Sequence, residues 1–276
     1  MKWNKLVFGI LKYTFIAIVV LISTLPVIWV FVSSFKTNME IFNSAFKLPG
    51  SFSLKNYAIA FRLAPIARFY LNSVVVSVSG TLLNLTAMGM AAYVFARFDF
   101  KCKNLLLVLF SITLLLPASA LLHPLYLTIS KLGLYNKLSS LVIVYAGLGI
   151  PVSLYVLKSY FLTIPKELGE SANLDGAGFL RTFAEIILPV AKPSFGTAGV
   201  LQFLLCWNEF QFALVLTTGN ENRTLPLALS YFTSMFSANY GAVFAATTMI
   251  IIPSIIIYVV LQEHVVSSLT AGAVKG

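Results

Sequence analysis

Charge is scarce in this chain. Only 10% of its residues are Asp, Glu, Lys or Arg, against about a quarter in a soluble domain. A shortage on this scale excludes a solvated globular surface over most of the sequence. Cysteine and histidine are scarcer still, with two of each. Cys102 lies beside Lys101 and Lys103, and Cys206 lies within an apolar run. Neither has a neighbouring ligand pattern, so no disulfide framework and no metal site is expected. His123 and His264 are far apart. His123, just before Pro124, reads either as a span-end histidine facing protein or water, or as a substrate contact. The patterns Gly-x-x-x-x-Gly-Lys-Ser/Thr, His-Glu-x-x-His and Gly-x-Ser-x-Gly are all missing, so the chain carries no nucleotide-binding loop or hydrolase site of those kinds. No catalytic residue is expected. Internal repeats and low-complexity tracts are absent too. The polar segments 36–71, 162–193 and 218–242 are each too short to bury a core of their own.

Apolar sequence is abundant. Hydrophobic residues make up 59% of the chain, and mean hydropathy is +0.91. The solvent for most of it is therefore a lipid bilayer. About 20 apolar residues are needed to cross the hydrocarbon as a helix. Six stretches qualify, at about 13–34, 72–96, 104–129, 139–161, 194–217 and 243–262. The expectation is an all-α, polytopic membrane protein with six transmembrane helices, forming a single domain over 1–276. The first run is too long, and lacks the small-residue cleavage site, for a simple signal peptide, so it reads as a retained span. The second is polar for a span, with Asn72, Ser73, Ser77, Ser79, Thr81, Asn84 and Thr86. Such density suits helix contact or a watered cavity rather than lipid. Pro26, Pro117, Pro151 and Pro253 interrupt spans and predict kinks.

The formal net charge of +10 does not indicate nucleic acid, because the basic residues fall in loops and at span edges, not along an aromatic-lined stripe. They bear on orientation instead. With both termini inside, eleven Lys and Arg lie inside and eight outside; without the long first loop, 36–71, only three are outside. Both termini are therefore expected in the cytoplasm.

Two polar clusters interrupt the apolar pattern. The first is Trp207-Asn208-Glu209-Phe210-Gln211, where Glu209 is the sole acidic residue inside an expected span. A charge at mid-helix costs about 2.5–3.5 kcal/mol on the lenient insertion scale. Asn208, Glu209 or Gln211 thus lies on a wet translocation path or subunit contact, or else Glu209 sits near the rim and is solvated. Asn84 in the second expected span joins the path candidates. The second cluster is the island 166–193, which holds four of the nine acidic residues. It reads as helix, turn, helix: Pro165 opens Glu167 to Leu174, Gly176 permits a backbone break, Asp175 caps a second helix, and Pro189 and Pro193 stop it. Phe179, Phe183, Ile186 and Ile187 form the apolar face of that second helix. The tip Glu170-Ser171-Ala172 is small and acidic. It suits either a groove on a partner or an ordinary amphipathic loop.

Glu170, Ala172, Asp175, Gly176, Ala177, Phe183, Ile186, Leu188, Pro189 and Pro193 resemble, in order and spacing, the EAA loop of ABC importer membrane subunits. Ser171 stands where that pattern usually has Ala. The likeness extends along the chain. Ser34-Phe35-Lys36 with Glu40-Ile41-Phe42, Asn72-Ser73, Ala91-Ala92-Tyr93 with Arg97, Trp207 to Phe210, Pro253 and the tail from Leu269 to Gly276 are similar to the MalG-type permeases of the carbohydrate-uptake branch.

The resemblance implies the type I (MetI-like) ABC importer permease fold. It makes 166–193 a coupling loop, with Glu170, Ser171, Ala172, Asp175, Gly176 and Ala177 facing an ATPase. It also implies a tail, 267–276, that reaches the ATPase dimer. The implied partners are a second, MalF-like permease, two copies of an ABC ATPase, an extracytoplasmic solute-binding protein, a sugar substrate and the lipid bilayer. The chain would hold no cofactor of its own, with ATP and Mg on the ATPase, and it would sit in a bacterial or archaeal cell membrane. The same mechanism with a polyol or glycerol phosphate is an alternative. A stand-alone secondary transporter is a weaker one, because Glu209 has no Lys or Arg partner within a span.

Overall fold

A computed structural model describes residues 2–232 and 239–273, with side chains from 8 to 232 and from 239 to 260. The expected tail 267–276 has only its backbone described, as far as 273; residues 274–276 lie outside the described set.

Among the described residues every regular element is helical. In chain order they are α1 (Lys2–Ser33), α2 (Asn38–Asn43), α3 (Lys55–Leu63), α4 (Ile66–Arg97), α5 (Lys103–Thr113), a 3-10 turn (Ala118–Leu121), α6 (Leu122–Lys131), α7 (Leu138–Leu148) and α8 (Ile150–Phe161). There follow α9 (Glu167–Leu174), a short α10 (Phe179–Arg181), a π-helical turn (Thr182–Ile187), α11 (Leu188–Asn208), α12 (Gln211–Leu216), a second 3-10 turn (Leu225–Tyr231) and α13 (Tyr240–Ala273). Within α1, α4 and α13 lie stretches long and apolar enough to cross a membrane. Two bent pairs, α5 with Ala118–Lys131 and α7 with α8, bring the total among the described residues to five if each pair is one span.

The bends follow from the sequence. The expected crossing at 104–129 is two arms meeting at 102°. Pro117 is extended at the break (ψ 129°), and without an N–H it cannot carry the helix through. The pair α7 and α8 bends by 49° at Gly149 and Pro151. The expected crossing at 194–217 is likewise divided. Helix α11 ends at Asn208, Glu209 is extended (ψ 127°), and α12 restarts at Gln211. Helix α11 is also too rich in small and polar residues (Ser194, Gly196, Thr197, Gly199, Gln202) to pass as an apolar crossing.

The chain divides into two compact units. One comprises 1–66 with 228–251, the other 67–227 with 252–276. In the first, α1 and the start of α13 meet through Trp29 and Phe244, whose rings stand edge to face at 5.1 Å. The segment after α1 folds around Lys36, which is buried and donates to the carbonyls of Ser44 and Ala45.

In the second unit, the polar residues of α4 turn inward. Ser73, Ser77, Thr81 and Asn84 are all buried, one helical face at spacings of about four. Gly80 lets α11 approach, since a Cβ there would stand 3.2 Å from Cys206 Sγ. Lipid tails are as apolar as leucine, so such small-residue packing and hydrogen bonds hold the helices together, each bond contributing about 0.6 kcal/mol on average. Among the described residues, two apolar clusters lie in this unit. One gathers Tyr93, Phe95, Leu154, Leu157, Phe161 and Ile187; the other gathers Val76, Leu141, Tyr145, Cys206, Phe212 and Leu216.

Candidate functional site

The island 166–193 begins with α9. Its end is closed by two backbone bonds, Gly176 N–H to Asn173 O (3.1 Å) and Ala177 N–H to Ala172 O (2.9 Å), with Gly176 at φ +81°. This is the Schellman closure, which needs a left-handed residue that glycine adopts at no steric cost. Asp175 is therefore the C-cap of α9, not the N-cap of the helix that follows, which starts after Gly178. Pro165 precedes α9 rather than lying in its first turn, and Lys166 is its N-cap.

Pro189 and Pro193 do not stop the second helix. Pro189 occupies the first turn of α11 and Pro193 lies inside it. In the π-helical turn 182–187 immediately before them, Leu188 N–H reaches the Phe183 carbonyl five residues back, and the helical path runs on although neither Pro189 nor Pro193 donates a backbone bond. The island thus passes without a loop into the long helix α11.

Ala172 is buried, whereas Glu170, Ser171, Asp175 and Gly176 are exposed and Ala177 is half-buried. Beneath them sits an aromatic cluster that joins Phe179 and Phe183, expected on the apolar face of the second helix, to rings of other helices that the sequence did not point to. Tyr93 of α4 has ring contacts with Phe161 of α8 (5.7 Å), Phe179 (5.6 Å) and Phe183 (5.4 Å), and Phe161 meets Phe195 of α11 at 6.2 Å. Arg97 adds a tie, donating from Nη2 to Ile164 O at 2.6 Å. The surface element is therefore packed against α4 and α8, where Phe183 also meets Phe161, and is joined directly to α11. On its exposed flank Arg181 and Glu185 pair at 2.9 Å.

The second cluster is rearranged relative to expectation. Glu209 Oε1 accepts Phe212 N–H (2.8 Å), and Oε2 accepts Ala213 N–H (3.0 Å) and the Tyr145 hydroxyl (2.6 Å). The carboxylate caps α12, satisfying donors that a helix start leaves open. That use of the side chain explains why the backbone is extended at Glu209 and the helix restarts. Glu209 and Gln211 also line a cavity of about 620 Å³ whose walls include Phe110, Leu125, Ile129 and Phe212. Asn208 does not join it; its amide donates back to Leu204 O (2.9 Å) on the same helix. Asn84 is buried elsewhere and donates to Ala146 O at 2.8 Å.

Two residues that the sequence reading passed over complete the arrangement. Gln202 donates to Tyr145 O (2.9 Å) and lies against Gly149, where a Cβ would overlap it. Asn84 and Gln202 thus hold the carbonyls of two successive residues, Ala146 and Tyr145, just before the bend at Gly149 and Pro151. An amide inside the apolar run 200–206 was a signal for Gln202. Tyr145, 64 residues from Glu209, gave none.

The arrangement offers a packed surface element joined to a long helix, and a mostly apolar cavity with few polar groups. Residues 84–270 match the model of the family described as binding-protein-dependent transport system inner membrane component. The chain is 32% identical over 270 residues to the diacetylchitobiose uptake system permease protein NgcG of Streptomyces coelicolor, covering 97% of this chain and 89% of that one. It is 35% identical to the trehalose/maltose transport system permease protein MalG of Thermococcus litoralis, covering 93% of each. In fold it is similar to a bacterial ABC transporter involved in the import of the acidic polysaccharide alginate, with a TM-score of 0.80, 23% identity and coverage of 94% and 97%. The helical fold is that of an ABC importer permease, and the chain belongs to the family of binding-protein-dependent transport system inner membrane components.

Proposed function

We propose that this chain forms half of the translocation path of an ATP-driven importer for a sugar or oligosaccharide. In this reading a second, MalF-like permease supplies the other half. Two copies of an ABC ATPase bind ATP and Mg on the cytosolic side, and an extracytoplasmic binding protein delivers the cargo. Both termini lie in the cytoplasm of a bacterial or archaeal cell. The named cargoes of its relatives, diacetylchitobiose and trehalose or maltose, support the carbohydrate class.

The observation that carries the coupling role is the continuity of the island with α11. Glu170 and Ser171 stand exposed on α9, Gly176 closes it, and the π-helical turn leads into α11 without a loop. A force applied at the tip by closing ATPases reaches the long helices through packed side chains. An element of this kind can bias two states of a path. Glu170, Ser171, Ala172, Asp175, Gly176 and Ala177 are the coupling residues in this proposal. Glu209 and Gln211 are the path residues. Asn208 and Asn84 serve the helices that frame them.

The test is purification of the tagged chain from its native membrane, followed by reconstitution in liposomes. Co-purification of an ATPase and a second permease, with ATP-dependent uptake of a labelled disaccharide once the binding protein is added, is the expected result. Recovery of the chain alone as a homo-oligomer that moves solute without ATP would overturn the proposal.

A further inference from the structure

The segment after α1 presents an unusual surface. Met39, Phe42, Phe46, Leu48, Phe52 and Leu54 all project outward, and Phe46 is 89% exposed. Six large apolar side chains within sixteen residues exceed what a watered surface ordinarily carries.

The segment is not a loose tether. Thr37 and Glu40 form a capping box at the start of α2, and Glu40 Oε1 accepts the Gly50 N–H at 2.9 Å. Lys36, 1% exposed, donates to the carbonyls of Ser44 (3.3 Å) and Ala45 (2.7 Å). The apolar side chains are therefore held outward by a built scaffold.

The depth of this scaffold is set by Trp29. Its indole N–H donates to Ala45 O at 2.8 Å. Trp29 lies four residues inside the end of α1 at Ser33, or about 6 Å at 1.5 Å per residue. The segment therefore folds back along α1 to a level one helical turn inside the end of the apolar run. On its other side Phe42 packs edge to face on Tyr240, at the start of α13, with centroids 5.1 Å apart. Two membrane-crossing helices thus fix the segment at the level of their ends. Lys47 and Lys55 are exposed in the same stretch. Their apolar stems and charged heads suit the boundary between acyl chains and headgroups.

From these observations we infer that residues 39–54 form an interfacial anchor that seats Phe42, Phe46, Leu48 and Phe52 in the lipid boundary, with Lys47 among the headgroups. The occupant of the patch is the bilayer. It fixes the depth of α1 and α13 against tilting, and it does so whether or not the cargo is a sugar.

The test uses the assembled transporter in vesicles of phosphatidylethanolamine and phosphatidylglycerol. Nitroxide labels are placed singly through Phe46→Cys, Leu48→Cys and Phe52→Cys on a Cys102→Ser, Cys206→Ser background. Collisions are then measured with oxygen, which concentrates in lipid, and with a water-soluble nickel chelate. The expected result is retained oxygen accessibility with loss of nickel accessibility at all three positions. Nickel accessibility equal to that of a freely solvated label would overturn the anchor in favour of a watered surface. Protection from both reagents would overturn it in favour of a protein partner over the patch. The readout is independent of uptake, so a failed transport assay and a failed anchor are separate results.

Discussion

The Tyr145 hydroxyl donates to the Glu209 carboxylate across 2.6 Å, linking α7, just before its bend, to the point where α11 ends and α12 restarts. The same carboxylate takes the Phe212 and Ala213 N–H groups. Glu209 is thus a positioning residue for α12 as well as a wall of the cavity. Tyr145→Phe removes one of three bonds and is expected to cost about 1 kcal/mol. Glu209→Ala removes all three and is expected to cost at least twice as much, judged by the typical worth of a helix cap, about 1 kcal/mol, added to the tyrosine bond. Thermal unfolding of the purified complex in detergent measures both. The reverse ranking would show that Glu209 does not cap α12.

At Gly149, in the bend between α7 and α8, the Gln202 side chain of α11 lies against the backbone. Gly149→Ala places a methyl on the Gln202 side chain, which must then release Tyr145 O. The combined overpacking and lost bond are expected to cost about 1–3 kcal/mol. Gly149→Ala combined with Gln202→Ala should recover part of the melting temperature lost in the single variant. Independent, additive losses would mean the two residues do not compete for one space.

Gly176 has φ +81° and open space around its Cα, so only the backbone resists substitution there. Gly176→Ala is expected to strain α9's closure by about 1–2 kcal/mol. Because α9 lies at the surface, the proposed coupling should suffer more than assembly. The check is the ratio of sugar transported to ATP hydrolysed in liposomes, which should fall while the amount of assembled complex stays near that of the parent.

Glu170→Lys reverses the charge at the exposed tip. Uptake should be abolished while the chain still reaches the membrane, as measured by transport and by quantitative immunoblot of membrane fractions. Wild-type uptake by this variant would remove Glu170 from the proposed ATPase contact.

Acid should loosen the segment after α1. The backbone N–H of Thr37, then that of Gly50, and the Thr37 hydroxyl hold the Glu40 carboxyl below its ordinary value of 4.5. A carboxyl lowered in the folded state contributes stability that is fully present above 4.5 and is lost as pH falls through the lowered value. A nitroxide on Ser51→Cys should report rising mobility only below that ordinary value. With Glu40→Gln added, the label should be mobile already at pH 7.

The helical membrane class was legible in composition, because few charges and long apolar runs leave no other solvent. The left-handed turn at Gly176 was legible for a similarly local reason: glycine after a run of helix formers is the cheapest way to close a helix. The path of the chain through Pro189 and Pro193 was not. Proline's local rule says stop, yet the helix runs through both residues, after a π-helical turn, Thr182 to Ile187, whose sequence is a run of ordinary residues. Glu209 posed the same difficulty in another form. Its residue type advertised an unusual charge, but whether it met water, cargo or backbone depended on Tyr145, brought beside it by packing and not by any spacing. The 102° bend at Pro117 lay between these cases, since proline forecast an interruption without its angle.

The hydrogen bond from Gly241 N–H to Asn38 Oδ1 joins residues 203 apart in sequence. Synthesis proceeds from the N-terminus at about 5–20 residues per second, so the segment after α1 waits about 10–40 seconds on the ribosome's clock before its companion from α13 exists. During that interval Lys36, Glu40 and the neighbouring phenylalanines must be held by local bonds alone. Biogenesis of this protein therefore contains a built-in delay, in which the segment after α1 is completed by a helix start made 203 residues later.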